Sequence, residues 1–237
     1  MDIYLSLTQL YLEMARAVFT GIHHPEKKPI DKIRSDDGIS PITGIIFLAT
    51  SATIIYSYLA LEAFANYHLY EIWKTSKIAH TAIENLRQKN PKSVENVVPT
   101  YDSFYQKYGQ CDRFKDLKST DLMELGKRIK VICETLGIRK IHDVDPKLWQ
   151  SFKELLEKAR HFLIHPIPDP SEFEDMMKTI LLEKELGEYV QIAQKIITHF
   201  YTETGHNTSE WVDKNTLFII QGFEYIYKKD SLRGDEK

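Results

Sequence analysis

Between Asp37 and Glu62 the chain carries no charged residue, and no other feature narrows its folding options as much. The stretch holds Ile45, Ile46, Phe47, Leu48, Ile54, Ile55, Tyr56 and Leu59. Its length admits a membrane-spanning helix, which needs about 20 predominantly apolar residues. Two features point elsewhere. Thr43, Gly44, Thr50, Ser51, Thr53 and Ser57 dilute the hydrophobicity, and the helical periodicity runs on into Glu62-Ala63-Phe64-Ala65-Asn66-Tyr67-His68 toward Trp73. A helix apolar on most sides, yet continuous with a polar extension, fits the centre of a bundle, wrapped by neighbours. It must end around Asn90-Pro91, because the residue before a proline is pushed out of helical geometry. We therefore expect an all-α protein organised around one long buried helix, without a membrane span.

Helical spacing elsewhere supplies the partners. Ile3 to Phe19 forms an amphipathic helix through Leu5, Leu7, Leu10, Tyr11, Met14, Val18 and Phe19. A second carries Leu122, Leu125, Ile129, Ile132, Cys133 and Leu136, with Ser119-Thr120-Asp121 as its cap and Gly137 as its stop. A third carries Leu186, Tyr189, Val190, Ala193, Ile196, Ile197, Phe200 and Tyr201, ending before Gly205. Asp169-Pro170-Ser171-Glu172 restarts a short helix toward Leu181, and 211–227 reads as either a strand or a last helix. The connection after the first helix, with His23-His24-Pro25 and Asp36-Asp37-Gly38, reads as a mobile loop; no carboxylate or cysteine sits at ligand spacing beside the histidines. Residues 91–118 mix Tyr101, Phe104, Tyr105, Tyr108 and Phe114 with Lys107, Arg113, Lys115 and Lys118. Such mixing can serve a single-stranded nucleic acid, but an irregular excursion packing its aromatics on the bundle is the plainer expectation.

The length of 237 residues suits one domain, 1–237, with a core over about 42–201 and a disordered tail at 228–237. With 31 basic and 34 acidic residues the net charge is -3, so no whole-protein field draws in nucleic acid and any such contact is local. The most basic cluster is Lys127, Arg128 and Lys130, followed by Arg139-Lys140; it reads as a solvated face or a track for phosphates. Two cysteines, Cys111 and Cys133, make neither a disulfide framework nor a zinc site, which points to a reducing cytoplasm. The N-terminus begins Met-Asp with no basic stretch, unlike a signal peptide. No glycine-rich phosphate loop is present.

The sharpest chemical signal is Arg160-His161-Phe162-Leu163-Ile164-His165-Pro166. It closes an amphipathic helix that starts at Asp145-Pro146, an N-cap followed by proline at the first helical position, and runs to about Ile164 through Leu148, Trp149, Phe152, Leu155, Leu156, Ala159, Phe162 and Leu163. At about 100° per residue Arg160 sits at the edge of the apolar stripe, His161 points away from it, and His165 lies roughly 140° round from Arg160. Arg160 and His165 cannot converge on one small group from a straight helix. Either Pro166 opens the last turn and swings His165 round, or two copies of the motif meet across a symmetric dimer. The plain alternatives are that Arg160 and His165 cap the helix carbonyls, or that His161 and His165, four apart, hold a metal; no third ligand is visible for the latter.

Arg-x4-His with a polar residue after the arginine, at the end of a late helix in a nearly all-helical chain, resembles the signature of the HEPN superfamily. The resemblance implies an all-α, HEPN-like up-and-down helical bundle, here with an extra N-terminal helix and an irregular insertion. It implies a metal-independent endoribonuclease working as a homodimer, with no cofactor, possessed by a prokaryotic toxin or defence component and restrained by an antitoxin-like partner. Arg160, His161 and His165 take the catalytic positions. Glu62 and Asn66, four apart on one face of the long helix, resemble the polar residues that orient such a motif, although solvation alone also accounts for them. The other reading within the family is a non-catalytic module that binds a nucleotide or a protein.

Overall fold

The computed structural model describes residues 3–22, 34–35, 38–39, 41–89, 99–109, 111, 113–119, 122, 124–165, 186–208 and 212. Helix α1 (Ile3–Ile22) leads to a two-residue antiparallel pairing of β1 (Arg34–Ser35) with β2 (Gly38–Ile39), Arg34 opposite Ile39 and Ser35 opposite Gly38. Then come α2 (Pro41–Lys89), α3 (Pro99–Tyr108), a 3₁₀ turn (Phe114–Ser119), α4 (Leu125–Leu136), α5 (Ile141–Val144) and α6 (Pro146–Ser151). A π-helical segment (Phe152–Lys158) continues α6 into α7 (Ala159–Ile164), and α8 (Leu186–Glu203) completes the described elements. The all-helical expectation holds; the β1–β2 pairing adds a tight clasp in the polar connection before α2.

Helix α2 is the axis. Its 49 residues, at about 1.5 Å each, make a rod of roughly 70 Å, over twice the ~30 Å core of a bilayer. Among the described residues it is the one helix long and apolar enough to cross a membrane by length and composition, and 61% of its most apolar stretch is buried within the protein. It packs on α1, α3, α4, the π segment, α7 and α8. Ile54, Leu61, Phe64, Leu69 and Ile72 are buried along it, with Ala60, Ala63 and Ala65 between them allowing close approach. Burying such large side chains contributes about 1.5–3 kcal/mol each, so neighbours on several sides replace the single apolar stripe of a surface helix. The helix stops at Lys89, one residue before Asn90-Pro91, as the proline requires.

Four expectations need correction. Part of the supposedly irregular insertion is helix α3, which buries Phe104 and Tyr108, while Phe114 meets Tyr70 and Trp73 of α2 at ring distances of 5.3 and 6.0 Å. Of its basic residues, Lys107 lies over the Tyr108 ring and Arg113 pairs with Asp116 at 3.1 Å. Helix α4 begins at Leu125, later than Ser119-Thr120-Asp121 suggests, with Glu124 as an N-cap whose side chain makes no capping hydrogen bond. Its donor at Gly126 is satisfied across the fold, by the Glu157 carboxylate at 3.2 Å, so tertiary contact replaces a local cap. The helix expected over 146–164 changes pitch: Asp145 does cap it, accepting from the Leu148 N–H at 2.9 Å, but the stretch Phe152–Lys158 is π-helical. The wider turn keeps Phe152, Leu155, Leu156 and Ala159 all buried. Lastly, Arg128 does not belong to a surface cluster, as described below.

Helix α4 ends as expected at Gly137, whose φ of 69° lets the Ile138 N–H reach the Cys133 carbonyl at 3.0 Å. Helix α8 buries Tyr189, Val190, Ala193, Ile196, Ile197 and Phe200 and gives way to Gly205 at φ 72°. His23-His24, the helix at 171–181, most of 211–227 and the tail at 228–237 lie outside the described residues.

Candidate functional site

Three stretches build the site: one turn of α2, the start of α4, and the π segment with α7. On α2, Tyr58, Glu62 and Asn66 recur every four residues and share a face. On the motif helix, Glu157 and Arg160 are three apart. The π segment, by taking more residues per turn, sets the phase in which α7 presents Arg160 to α2.

Arg160 is half-buried, with its guanidinium carbon 4.9 Å from the centroid of the Tyr58 ring. A cation over a tyrosine face at this range is attracted by about 0.5–2 kcal/mol, depending on solvation. Among the described residues no carbonyl or carboxylate accepts from Arg160, so its five N–H donors are not consumed by helix capping. Tyr58 is buried, and burial, followed by the charge of Glu62, pushes its phenol up to about 12. It is therefore a neutral ring at physiological pH, a platform and not a base.

His161 and His165 are exposed, their ring centroids 5.1 Å apart and tilted by 47°. His165 has left helical geometry, at φ -125° and ψ 83°, as the following Pro166 requires, while its N–H still donates to the His161 carbonyl at 2.8 Å. The opened turn brings the two imidazoles together. Neither imidazole makes a hydrogen bond from its side chain to a helix carbonyl among the described residues, and no third histidine, cysteine or carboxylate joins the pair there. The motif thus separates into two adjoining parts, a guanidinium seated on α2 and an imidazole pair in solvent.

Glu62 and Asn66 turn out to hold a different arginine. Arg128 of α4 donates to Asn66 Oδ1 at 2.7 Å and to Glu62 Oε1 at 3.0 Å. Its side chain is 4% exposed and that of Glu62 26%. This corrects two expectations together: Arg128 is a buried structural cation and cannot track phosphates, and Asn66 is buried, not solvated. Of the remaining cluster, Lys127 pairs with Glu124 at 3.4 Å. Lys130 lies over the Trp149 ring at 5.5 Å, with Lys153 over the same ring at 5.8 Å. Lys140 and Arg139 pair with Glu134 and Glu203 at 2.6 and 2.7 Å.

The carboxylate of Glu157 closes the arrangement. It accepts from the Gly126 N–H and pairs with Lys153, placing a negative charge at the start of α4, where the helix dipole favours it. Sequence reading missed Tyr58, Glu157 and Lys153. The usable signal was spacing: Tyr58 is one turn before Glu62, and Glu157 one turn before Arg160.

Two other groups are excluded by their surroundings. His68 stacks on Phe200, ring centroids 5.7 Å apart, and burial pushes it down to about 4, so it stays neutral near pH 7. Burial likewise pushes the Cys133 thiol up to about 12, far from a reactive thiolate. A groove of about 490 Å³ runs between the start of α6 and α8, but its charged lining is largely spent, Arg139 being held in two bonds by Glu203 at 2.7 and 3.0 Å. No motif residue lines it. No family model, no curated protein and no solved structure matches this chain.

Proposed function

We propose that this protein is a HEPN-like, metal-independent endoribonuclease that works as a homodimer, with Arg160, His161 and His165 at the reacting phosphate. The observation that carries the reading is the state of Arg160: seated on Tyr58, with donors unspent among the described residues, beside two exposed imidazoles. A motif kept for stability would spend those donors on the helix end.

The chemistry follows from the charges. One imidazole, His165, removes the ribose 2′-proton, imidazole being the side chain most often used for such general-base transfer. The 2′-oxygen attacks phosphorus, the bond to the 5′-oxygen of the next nucleotide breaks, and that oxygen takes up a proton from the imidazolium just formed or from water, so the products end in a 2′,3′-cyclic phosphate and a 5′-hydroxyl. Negative charge accumulates on the non-bridging oxygens, where Arg160 provides fixed donors. His161, 5.1 Å from His165 between ring centroids, positions substrate or shares the proton. A toxin or defence role, with an antitoxin-like partner restraining the enzyme, accompanies this reading through the family resemblance.

The second reading is a non-catalytic HEPN-like module that binds a nucleotide or a protein. It gains support from the loss of Arg128 to the core, which thins the expected phosphate track to Lys127 and Lys130, and from the absence of motif residues in the described groove. Cleavage of a labelled RNA in EDTA separates the two. The nuclease reading expects wild-type cutting, loss of about 10²-fold or more in Arg160→Ala and His165→Ala, and unchanged helical content. A folded wild-type dimer that leaves a panel of RNAs intact would transfer the assignment to the binding module.

A further inference from the structure

Among the described residues two carboxylates, Glu62 and Glu157, lie near Tyr58, and each is already engaged. Glu62 is taken by Arg128, and Glu157 by the Gly126 N–H and Lys153. An arginine between acidic residues would ordinarily be neutralised by one of them. Here these acids are drawn off to either side, and the contact that Arg160 makes among the described residues is with the uncharged face of a ring.

We infer that Tyr58 is a positioning residue: it seats the Arg160 guanidinium on its ring and so reserves the N–H donors for an oxygen of a phosphodiester. The inference rests on the nuclease reading for the identity of the anion, and on geometry for the rest. Both sides of the contact are anchored. Tyr58 is buried one turn from Glu62, whose bond to Arg128 ties α2 to α4. Arg160 follows Glu157 by one turn, and Glu157 ties the motif helix to the first turn of the same α4. A free arginine samples many rotamers and loses that freedom on binding. One held by a ring arrives with part of that cost already met by folding.

The ring, not the hydroxyl, is what the role requires. Tyr58→Phe keeps the cation–ring contact; Tyr58→Leu removes it; Tyr58→Met fills similar space without a ring, should the leucine variant fail to fold. Three readouts are taken on the full chain: the ¹H shift of the Arg160 Nε–H, which a neighbouring ring displaces; kcat and KM for RNA cleavage in EDTA; and binding of the same oligonucleotide with 2′-O-methyl riboses, which cannot be cut. The expected result is a displaced Arg160 signal in wild type and Tyr58→Phe that reverts in Tyr58→Leu. Catalytic efficiency should fall in Tyr58→Leu by about 3- to 30-fold, the equivalent of a partly desolvated cation–ring contact. The loss should fall mainly on kcat, because phosphate charge grows toward the transition state, and Tyr58→Phe should restore most of it.

RNA cleavage left unchanged in both Tyr58→Leu and Tyr58→Met overturns the positioning role and leaves the nuclease reading standing. Binding of the 2′-O-methyl strand without cleavage of the RNA, weakened in Tyr58→Leu, upholds the positioning role and removes the nuclease. An Arg160 signal that does not move between wild type and Tyr58→Leu, or a wild type that neither cuts nor binds, overturns the inference.

Discussion

Replacing Glu62 by glutamine tests whether the buried network of α2 and α4 is held by charge. The substitution keeps side-chain shape and one acceptor oxygen while removing the charge that faces Arg128. Arg128 is 4% exposed at its side chain, so its guanidinium loses the Glu62 charge at a site away from water. Removing one partner of a buried ion pair costs about 3–5 kcal/mol. Glu62 is 26% exposed, so water reaches part of the site and lowers the cost to about 2–3 kcal/mol. Arg128→Met removes the other partner: the Asn66 amide oxygen, buried and now without its 2.7 Å donor, costs about 1–3 kcal/mol, and Glu62 loses its counter-charge as well. The double variant removes both charges of the pair together, so of these two costs the Asn66 term remains. It should therefore be more stable than the sum of the single losses predicts, by about 2 kcal/mol. Urea unfolding at pH 7, followed by far-UV circular dichroism, reads this as midpoints: with a slope of about 2–3 kcal/mol/M, Glu62→Gln moves the midpoint down by about 1 M. Single losses that add to within about 0.5 kcal/mol, the tolerance for independent sites, would refute the coupled network.

Two further outcomes follow. Because burial holds the His68 pKa at about 4 in the folded protein against 6.5 unfolded, the unfolded chain binds more protons in between; stability is full above pH 6.5 and declines as pH falls toward 4, by about 3 kcal/mol, and the pH dependence of urea midpoints should flatten in that window in His68→Phe. Asp145→Ala removes the acceptor for the Leu148 N–H and should cost about 1 kcal/mol in a thermal melt, without altering the Arg160 signal if the π segment, and not the cap, sets the phase of α7.

Local signals were reliable where one or two residues act through the backbone. Asn90-Pro91 ended α2, Asp145-Pro146 began α6, Gly137 closed α4, and Pro166 pulled His165 out of the helix, each through a steric or hydrogen-bonding rule confined to a few residues. Reading failed where the deciding contact came from far along the chain. The start of α4 depends on Glu157, 31 residues beyond Gly126, and nothing near Ser119 announces it. Arg128 sits among lysines in sequence and was assigned to their surface. Its acceptors are on α2, 62 and 66 residues earlier, and a cation with such partners can be buried where its neighbours cannot.

By itself the amino-acid order determined that the protein is helical, that α2 is its axis, and that an arginine and two histidines are gathered at the end of one helix. Those are consequences of periodicity and of proline and glycine sterics, which need no partner. Only the tertiary structure decided what each polar group does: that Glu62 and Asn66 hold Arg128, that Glu157 caps α4, and that Arg160 rests on Tyr58. The physical reason is that a side chain's charge is fixed by its chemistry, whereas its burial and its partner depend on which helices pack together, and that information is distributed over the whole chain.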